Sequence, residues 1–348
     1  MFKDRLTASF DVYQRETTDM ITAGPTLPSV FGASSPNQNA ADLITTGFDL
    51  SVRWNNNGQL AGKQISYDIG VVLSDYTSRI TKFNNPNKLL SNYYVGQKVG
   101  EIWGYSLDGY FTSDEEAKNW PINQSFVNST IIRSPGEWST LHAGDIKFKD
   151  LNGDNIINNG KNTVDDHGDL KVIGNKLPRY SYGINGSVRW AGFDLSLFLQ
   201  GVGRQDWYPG NNADKFWGFY SRPYFSYIPK DFESQIWSPE NPNAYFPLLR
   251  GYTALNSGSE LNSPNDKYIQ NLSYLRLKNL TIGYNIPQTF IKNWKRNQFK
   301  IFFSGQNLMT LTNLNTKYID PEQAIAEANG RVYPFFKIYS FGLNVSFL

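Results

Sequence analysis

Near its middle the sequence reads Tyr180-Ser-Tyr-Gly-Ile-Asn-Gly-Ser-Val-Arg-Trp190, then Ala191-Gly192, then Phe193-Asp-Leu-Ser-Leu-Phe-Leu-Gln200. Mostly apolar side chains occupy every second position of both runs, and small or polar side chains occupy most positions between them. A period of two places alternate side chains on opposite faces of a β-strand. Because only two residues separate the runs, the stretch predicts a β-hairpin with one apolar and one polar face.

The same alternation recurs in other parts of the chain, which brings the number of predicted strands to eight. The further runs are Leu6–Tyr13, Phe48–Asn55, Ile65–Ser74, Leu275–Ile286, Phe299–Gln306 and Tyr339–Phe347. The run that begins at Leu275 changes phase near Asn279, which is typical of a β-bulge.

The connections between the predicted strands alternate strictly between long and short. The short ones are Asn55–Lys63, Ala191–Gly192 and Pro287–Gln298, and the long ones are Thr17–Thr45, Asp75–Arg179, Gln205–Asn271 and Thr310–Phe335. Barrels of the bacterial outer membrane have short periplasmic turns and long extracellular loops. Aromatic side chains also cluster near strand ends, as the interfacial girdles of such barrels require, at Trp54, Tyr180, Trp190, Tyr284 and Tyr339.

These patterns predict an all-β fold: an antiparallel transmembrane β-barrel portion, about eight strands of a larger barrel, with long extracellular loops. A soluble or surface-attached β-rich carbohydrate-binding module is the alternative, since sandwich strands alternate too. Two observations favour the membrane barrel. The polar faces of the predicted strands carry few lysines, and the long loops hold more than half of the chain. An isolated chain of this kind is expected to form a curved open sheet or a strained partial barrel.

Composition excludes several classes of function. The 348 residues contain no cysteine and two histidines, which leaves out thiol nucleophiles and thiolate metal sites. Lys+Arg number 33 and Asp+Glu 31, so the net charge of +2 disfavours nucleic-acid binding. His142 and His167 have no neighbouring nucleophile motif, and the carboxylate pairs are adjacent residues in predicted loops. The sequence therefore predicts that the chain is not an enzyme.

Several motifs in this order are similar to a known family. They are Arg5–Tyr13, Gly144–Asp154, Ile173–Pro178, Trp237–Ala244, Tyr274–Tyr284, Gly305–Leu308, Asp320–Glu322 and Tyr339–Phe347. With this set the chain resembles the C-terminal part of SusC/RagA-family TonB-dependent outer-membrane transporters. The resemblance implies that residues 1–348 are the C-terminal portion of such a receptor barrel, and that its plug domain and signal peptide are absent from this chain.

The resemblance also implies a cellular setting. It places the chain in the bacterial outer membrane, in contact with its lipid, as part of an importer of glycans, oligosaccharides or peptides. It implies a SusD-like surface lipoprotein as a lid, and coupling to the TonB complex through the missing plug region. One departure from many outer-membrane barrels is that Phe347 is followed by Leu348 instead of ending the chain.

Aromatic residues in the long loops are candidate cargo contacts. Their flat rings can cover the apolar faces of sugars or peptides while the polar edges of the rings remain solvated. The candidates are Trp103, Tyr105, Tyr110, Trp207, Trp217 and Tyr220. The alternative is that these rings pack the loops onto one another.

Asp150-Leu-Asn-Gly-Asp-Asn-Ile-Ile-Asn158 is similar to the start of a calcium loop. Its oxygen donors would be Asp150, Asn152, Asp154 and the Ile156 carbonyl, with Asp165 or Asp166 completing the shell. However, Asn155 and Lys161 stand where such a loop has Gly and Glu. The alternative is a turn whose Asx side chains bind their own backbone. No other cofactor is expected.

Overall fold

The computed structural model describes residues 4–23, 32, 36–134, 136–221, 228–287, 289, 298–325 and 332–346. Its strands are β1 (Leu6–Ala23), β2 (Asn37–Leu60), β3 (Lys63–Lys82), β4 (Glu101–Gly104), β5 (Leu107–Tyr110), β6 (Ile146–Phe148), β7 (Lys171–Asn175), β8 (Arg179–Trp190), β9 (Phe193–Arg204), β10 (Asp206–Trp207), β11 (Gln270–Asn271), β12 (Tyr274–Asn285), β13 (Gln298–Thr312) and β14 (Ile338–Ser346).

The helices are short. They are α1 (Asp114–Lys118), α2 (Ser129–Ile132), α3 (Asp214–Trp217) and the 3₁₀ turns Gly136–Ser139, Gly218–Tyr220, Glu233–Gln235 and Gly251–Leu255. Within the described ranges, no helix combines the length and the apolar character needed to cross a membrane.

Eight strands form one antiparallel sheet, which we call the wall sheet. Its order is β1-β2-β3-β8-β9-β12-β13-β14, so each strand lies beside the next wall strand along the chain. Among the described residues, β1 pairs only with β2 and β14 only with β13, which leaves two open edges. The predictions of an all-β fold, of eight antiparallel strands and of an open sheet are confirmed. The end of the last predicted strand, Phe347, and Leu348 lie outside the described residues.

The first hairpin is longer than the sequence predicts. Pairing of β1 with β2 continues to Ala23 opposite Asn37, so both ends of the predicted loop 17–45 are strand. The prediction that this whole segment is a loop was wrong. Beyond Tyr13, the side chains on both faces of β1 are mostly exposed. With neither face buried, this part of the sequence has no apolar alternation by which a strand could be recognised.

Two tight turns close wall hairpins. Ala61-Gly62 joins β2 to β3 and Ala191-Gly192 joins β8 to β9, and all four residues have positive φ, between 51° and 91°. This backbone matches the twist of the flanking strands in a two-residue hairpin. The predicted bulge in β12 is confirmed, because the pairing shifts register between Leu277 and Asn279 on both of its sides.

The apolar face of the wall sheet is exposed. Phe10, Phe193, Ile282, Ile301 and Phe341 are each 42–83% exposed. The buried residues of the main described core cluster all lie outside the wall strands. Two sheets of a soluble sandwich would instead bury such faces against each other. An apolar surface of this extent is typical of a contact with lipid or with another protein.

The buried core lies in the long connections between wall strands. Residues 83–178, 205–273 and 313–337 each contribute side chains to one aromatic-rich cluster, and we call these three segments the loop assembly. Three small antiparallel sheets strengthen it: β4 with β7, β5 with β6, and β10 with β11. The chain therefore consists of a wall with an uncovered apolar face and a compact body built by its loops.

Candidate functional site: the loop assembly

Tyrosine hydroxyl groups join the first two segments of the loop assembly. Tyr110 donates to the Tyr245 carbonyl at 2.5 Å, and its oxygen lies 2.7 Å from the Tyr268 hydroxyl. Burial raises the pKa of all three phenols, so they stay protonated and keep their hydrogen-bonding capacity. Residues more than a hundred positions apart are thus held together by buried polar contacts.

A buried ion pair joins the same two segments at a second place. The guanidinium of Arg250 forms a bidentate pair with Asp145, with Nε 2.9 Å from Oδ1, and both side chains are at most 4% exposed. Arg250 also donates to the carbonyls of Trp138 and Thr140 at 2.9 and 2.8 Å. Removing one member of a buried pair commonly costs about 3–5 kcal/mol, because the other charge is left uncompensated.

The third segment is held to the wall sheet by charge. Arg276 of β12 is 1% exposed, and its Nη2 donates to both carboxylate oxygens of Asp320 at 2.7 Å. Glu322 lies 3.2 Å from Arg276 Nε and accepts a 2.8 Å bond from Lys278. The motif Asp320-Pro-Glu322 therefore fixes the last long connection against the polar side of the barrel wall.

Five of the six candidate aromatic residues are buried. Trp217 and Tyr220 are fully buried, and their polar atoms donate to the carbonyls of Pro209 and Pro247, at 3.2 and 2.5 Å respectively. The other three buried rings are Tyr105, Tyr110 and Trp207.

Trp103 is half-buried, and its ring centroid lies 5.5 Å from that of His167. Burial favours the packing alternative for this group of rings. Contact of any of them with cargo stays a prediction.

In the predicted calcium loop, the side chains bind the loop's own backbone. Asp150 accepts from the amides of Gly153 and Asn155 at 2.7 and 2.8 Å, and Asp154 accepts from Ile156 at 2.7 Å. Asn155 has a φ of 61° at the position where glycine is usual. This is the hydrogen bonding of an Asx turn.

The other predicted ligands face lysines or amides. Asp165 lies 3.9 Å from Lys88 and Asp166 lies 3.7 Å from Lys161, while Asn152 donates from its side-chain amide to Asp154 at 3.0 Å. Within the part of the chain that the structure describes, no group of three or more His, Asp or Glu side chains is placed to hold a metal. Calcium binding here stays a prediction.

A surface cavity of about 560 Å³ lies between α1 and α2, and the sequence did not predict it. Ser113 caps the N-terminus of α1, and its hydroxyl accepts from the Glu116 amide at 3.1 Å. Glu116 in turn pairs with Lys147 at 2.9 Å, and this contact is the largest of those that lower the pKa of Glu116 to about 2. The spacing Ser-x-x-Glu is that of a capping box, and it is the sequence signal that marks the start of this helix.

No family model matches the chain. Three TonB-dependent receptors of Formosa agariphila are each 24% identical to it, over 90–100% of this chain. SusC, a TonB-dependent receptor of Bacteroides thetaiotaomicron, is 21% identical over 99% of the chain. The predicted resemblance to TonB-dependent receptors, SusC among them, is confirmed. The chain spans 30–33% of the length of these relatives.

Solved structures give the same fold. The RagAB peptide importer in its open-open state matches 99% of this chain with a TM-score of 0.62 and 19% identity. In the closed-closed state it matches 98% with a TM-score of 0.63. In each case the match covers 33% of the importer chain. This chain therefore has the fold of about a third of the RagAB importer chain.

Proposed function

We propose that this chain forms part of the barrel wall and the extracellular vestibule of a TonB-dependent importer in the bacterial outer membrane. The observation that carries the proposal is the exposed apolar face of the wall sheet, which a bilayer would cover. Similarity to TonB-dependent receptors over the whole chain supports it. In this role the chain binds and guides cargo and catalyses no reaction, in keeping with relatives named as receptors.

The finer parts of the proposal concern cargo and partners. The cargo is an oligosaccharide, another glycan or a peptide, and the folded loop assembly provides the surface that meets it. A SusD-like surface lipoprotein covers the vestibule, and the TonB complex acts through a plug domain encoded in the remainder of the complete transporter. RagAB, which has the same fold over a third of its chain, is described as a peptide importer.

The competing function is a soluble or surface-attached carbohydrate-binding module. Such a module needs its apolar strand faces buried in a dry core. The described core lies in the loop assembly instead, and Phe341 of the wall is 83% exposed. This observation favours the membrane importer.

The orientation of the wall is testable with a pair of adjacent substitutions in β12. Ile282 is on the exposed apolar face, whereas Thr281 is on the other face, with its hydroxyl 3.3 Å from that of Ser304. Arginine at a lipid-facing position near the midplane of the bilayer costs about 2–4 kcal/mol. We expect Ile282→Arg in the complete transporter to prevent outer-membrane assembly, and Thr281→Arg to be tolerated.

The measurements are the amount of transporter in isolated outer membranes and its uptake of a labelled peptide or oligosaccharide mixture, with and without TonB. Equal assembly of both variants would contradict a lipid-facing apolar side. Uptake that is independent of TonB would contradict the importer function.

A further inference from the structure

The apolar face of the wall sheet becomes polar in steps toward the end that carries the long connections. Residues directly opposite each other in neighbouring strands share a face, and the pairing of β1, β2 and β3 arranges them in rows. From the apolar end, four successive rows are Phe10–Leu50–Leu73, Val12–Phe48–Asp75, Gln14–Thr46–Thr77 and Glu16–Ile44–Arg79. This face therefore changes from apolar through neutral polar to charged over about 20 Å of strand.

A groove of about 640 Å³ crosses the first three rows on the apolar side of the sheet, and we call it the wall groove. Its apolar end is formed by Phe10, Val12 and Phe48, of which Phe10 is 64% and Val12 is 73% exposed. Its polar end is formed by the next row, which consists of Gln14, Thr46 and Thr77. The groove thus offers hydrocarbon contact at one end and side-chain donors and acceptors at the other.

An ion pair closes one side of the wall groove. Arg179 Nε and Nη2 each donate to the Asp75 carboxylate at 2.6 Å, and Asp75 also accepts from the Tyr180 amide at 3.2 Å. Both charged residues line the groove. Because the two charges compensate each other, the pair gives the groove a fixed polar edge without net charge.

Two cations lie just beyond the polar end of the groove. Arg79 of β3 and Lys98 stand opposite each other in a β-bridge, so their exposed side chains share this face. Arg79 donates to the Gly96 carbonyl at 3.2 Å, and neither cation forms an ion pair with a described carboxylate. Glu16, in the same row as Arg79, is two strands away, about 10 Å at the usual strand spacing. Positive charge is therefore in excess at this end.

The height of the polar region indicates which lipid fits. From the row of Val12 to the row of Arg79 is a step of four residues along each strand. This step is about 13 Å along the strand, or about 9 Å along the membrane normal at the usual tilt. A single phosphate attached next to the acyl chains does not span this height, whereas a phosphorylated sugar headgroup does. Basic groups at a membrane surface attract anionic headgroups of this kind.

We infer that the wall groove binds a phosphorylated glycolipid of the outer leaflet. An acyl chain of this lipid lies against Phe10, Val12 and Phe48. Its sugar hydroxyls pair with the polar row above them, and a phosphate lies beside Arg79 and Lys98. The inference rests on the proposed function, which places lipid against this face, and goes beyond it by assigning a site for one class of lipid.

The test measures lipid binding to the complete transporter by native mass spectrometry, after exchange into a detergent that removes bound lipid. The probes are bisphosphorylated lipid A, the same lipid with both phosphates removed, and phosphatidylglycerol. We expect the bisphosphorylated form to bind roughly 25-fold more tightly than the dephosphorylated form, at about fivefold for each cation. Equal affinity of these two forms, or tighter binding of phosphatidylglycerol, would overturn the inference.

Two variants assign the binding to the wall groove. Arg79→Gln/Lys98→Gln removes both cations at exposed positions, and we expect it to weaken bisphosphorylated lipid A by the same factor without a change in unfolding temperature. Thr46→Trp fills the groove at another exposed position and is expected to displace both forms of lipid A. The matched control is Arg189→Gln/Lys149→Gln, which removes two exposed cations from the polar face of the wall and from the loop assembly.

The outcomes separate this inference from the proposed function. If the variant without the two cations and its control bind bisphosphorylated lipid A equally well, the groove is not its site. If Ile282→Arg prevents outer-membrane assembly but all three lipids bind with the same affinity, the wall faces the bilayer as proposed and the glycolipid site fails.

Discussion

Glu260 shows how the loop assembly treats an ionisable residue in its interior. It is 2% exposed, and its Oε2 has no hydrogen-bond partner among the described residues. Burial raises the pKa of its carboxyl to about 8, the negative charge of Asp145 acts in the same direction, and Arg250 opposes them. At neutral pH this carboxyl is therefore mostly protonated in the folded chain.

This raised pKa predicts that stability falls as the pH rises. Between the usual value of 4.5 and about 8, the folded chain holds a proton that the unfolded chain has released. The stabilisation is complete below pH 4.5 and is lost as the pH approaches 8. Glu260→Gln imitates the protonated form, so we expect it to stabilise the protein at pH 8 by a few kcal/mol, at about 1.4 kcal/mol per pKa unit.

The measurement is thermal unfolding of the purified transporter between pH 5 and pH 8, compared with the variant. Glu233→Gln, at an exposed position in the same connection, is the control and should keep the wild-type slope. The same slope in the Glu260→Gln variant would show that another group causes the pH dependence.

At the scale of elements, a glycine fixes the contact between two wall strands. Gly201 of β9 lies opposite Tyr182 of β8, and a Cβ added at Gly201 would collide with the Tyr182 ring and the Tyr274 carbonyl. The Tyr182 hydroxyl donates to that carbonyl at 3.1 Å. Glycine is required here because the ring lies directly over it.

We therefore expect Gly201→Ala to destabilise the wall sheet by about 1–3 kcal/mol, as overpacking commonly does. Gly186→Ala is the matched control, because a Cβ there would have its closest neighbour at 3.6 Å, an ordinary contact. Heat-induced unfolding of the detergent-solubilised protein compares the two. Equal unfolding temperatures would mean that Tyr182 moves aside without cost.

The wall strands were predictable from sequence, and the loop assembly was not. Alternation is a local property, so it reveals a hairpin such as Tyr180–Gln200 without any knowledge of the rest of the chain. The pairs Asp145–Arg250 and Tyr110–Tyr268 join residues 105 and 158 positions apart, and no local pattern marks such partners. The candidate aromatic residues were recognised as important, but their burial depends on these distant contacts.

At the scale of the whole molecule, the open edges and the uncovered apolar face predict the behaviour of the isolated chain. Unpaired strand edges and exposed apolar surface both promote association. We expect residues 1–348 alone to need detergent and to self-associate without it, as measured by size-exclusion chromatography with light scattering. A monodisperse monomer in plain buffer would favour the soluble carbohydrate-binding module instead.

The loop assembly is built from three separate segments of the chain that depend on one another. This dependence limits how the protein can be re-engineered and how it can diversify in evolution. If one connection were replaced by that of a relative, the buried tyrosine hydroxyls and Arg250 would lose their hydrogen-bond partners in the other segments. We therefore expect that cargo specificity can be transferred between relatives only when all three connections are exchanged together. Residues that contact each other across two segments of the loop assembly should also co-vary among related sequences, although they lie far apart along the chain.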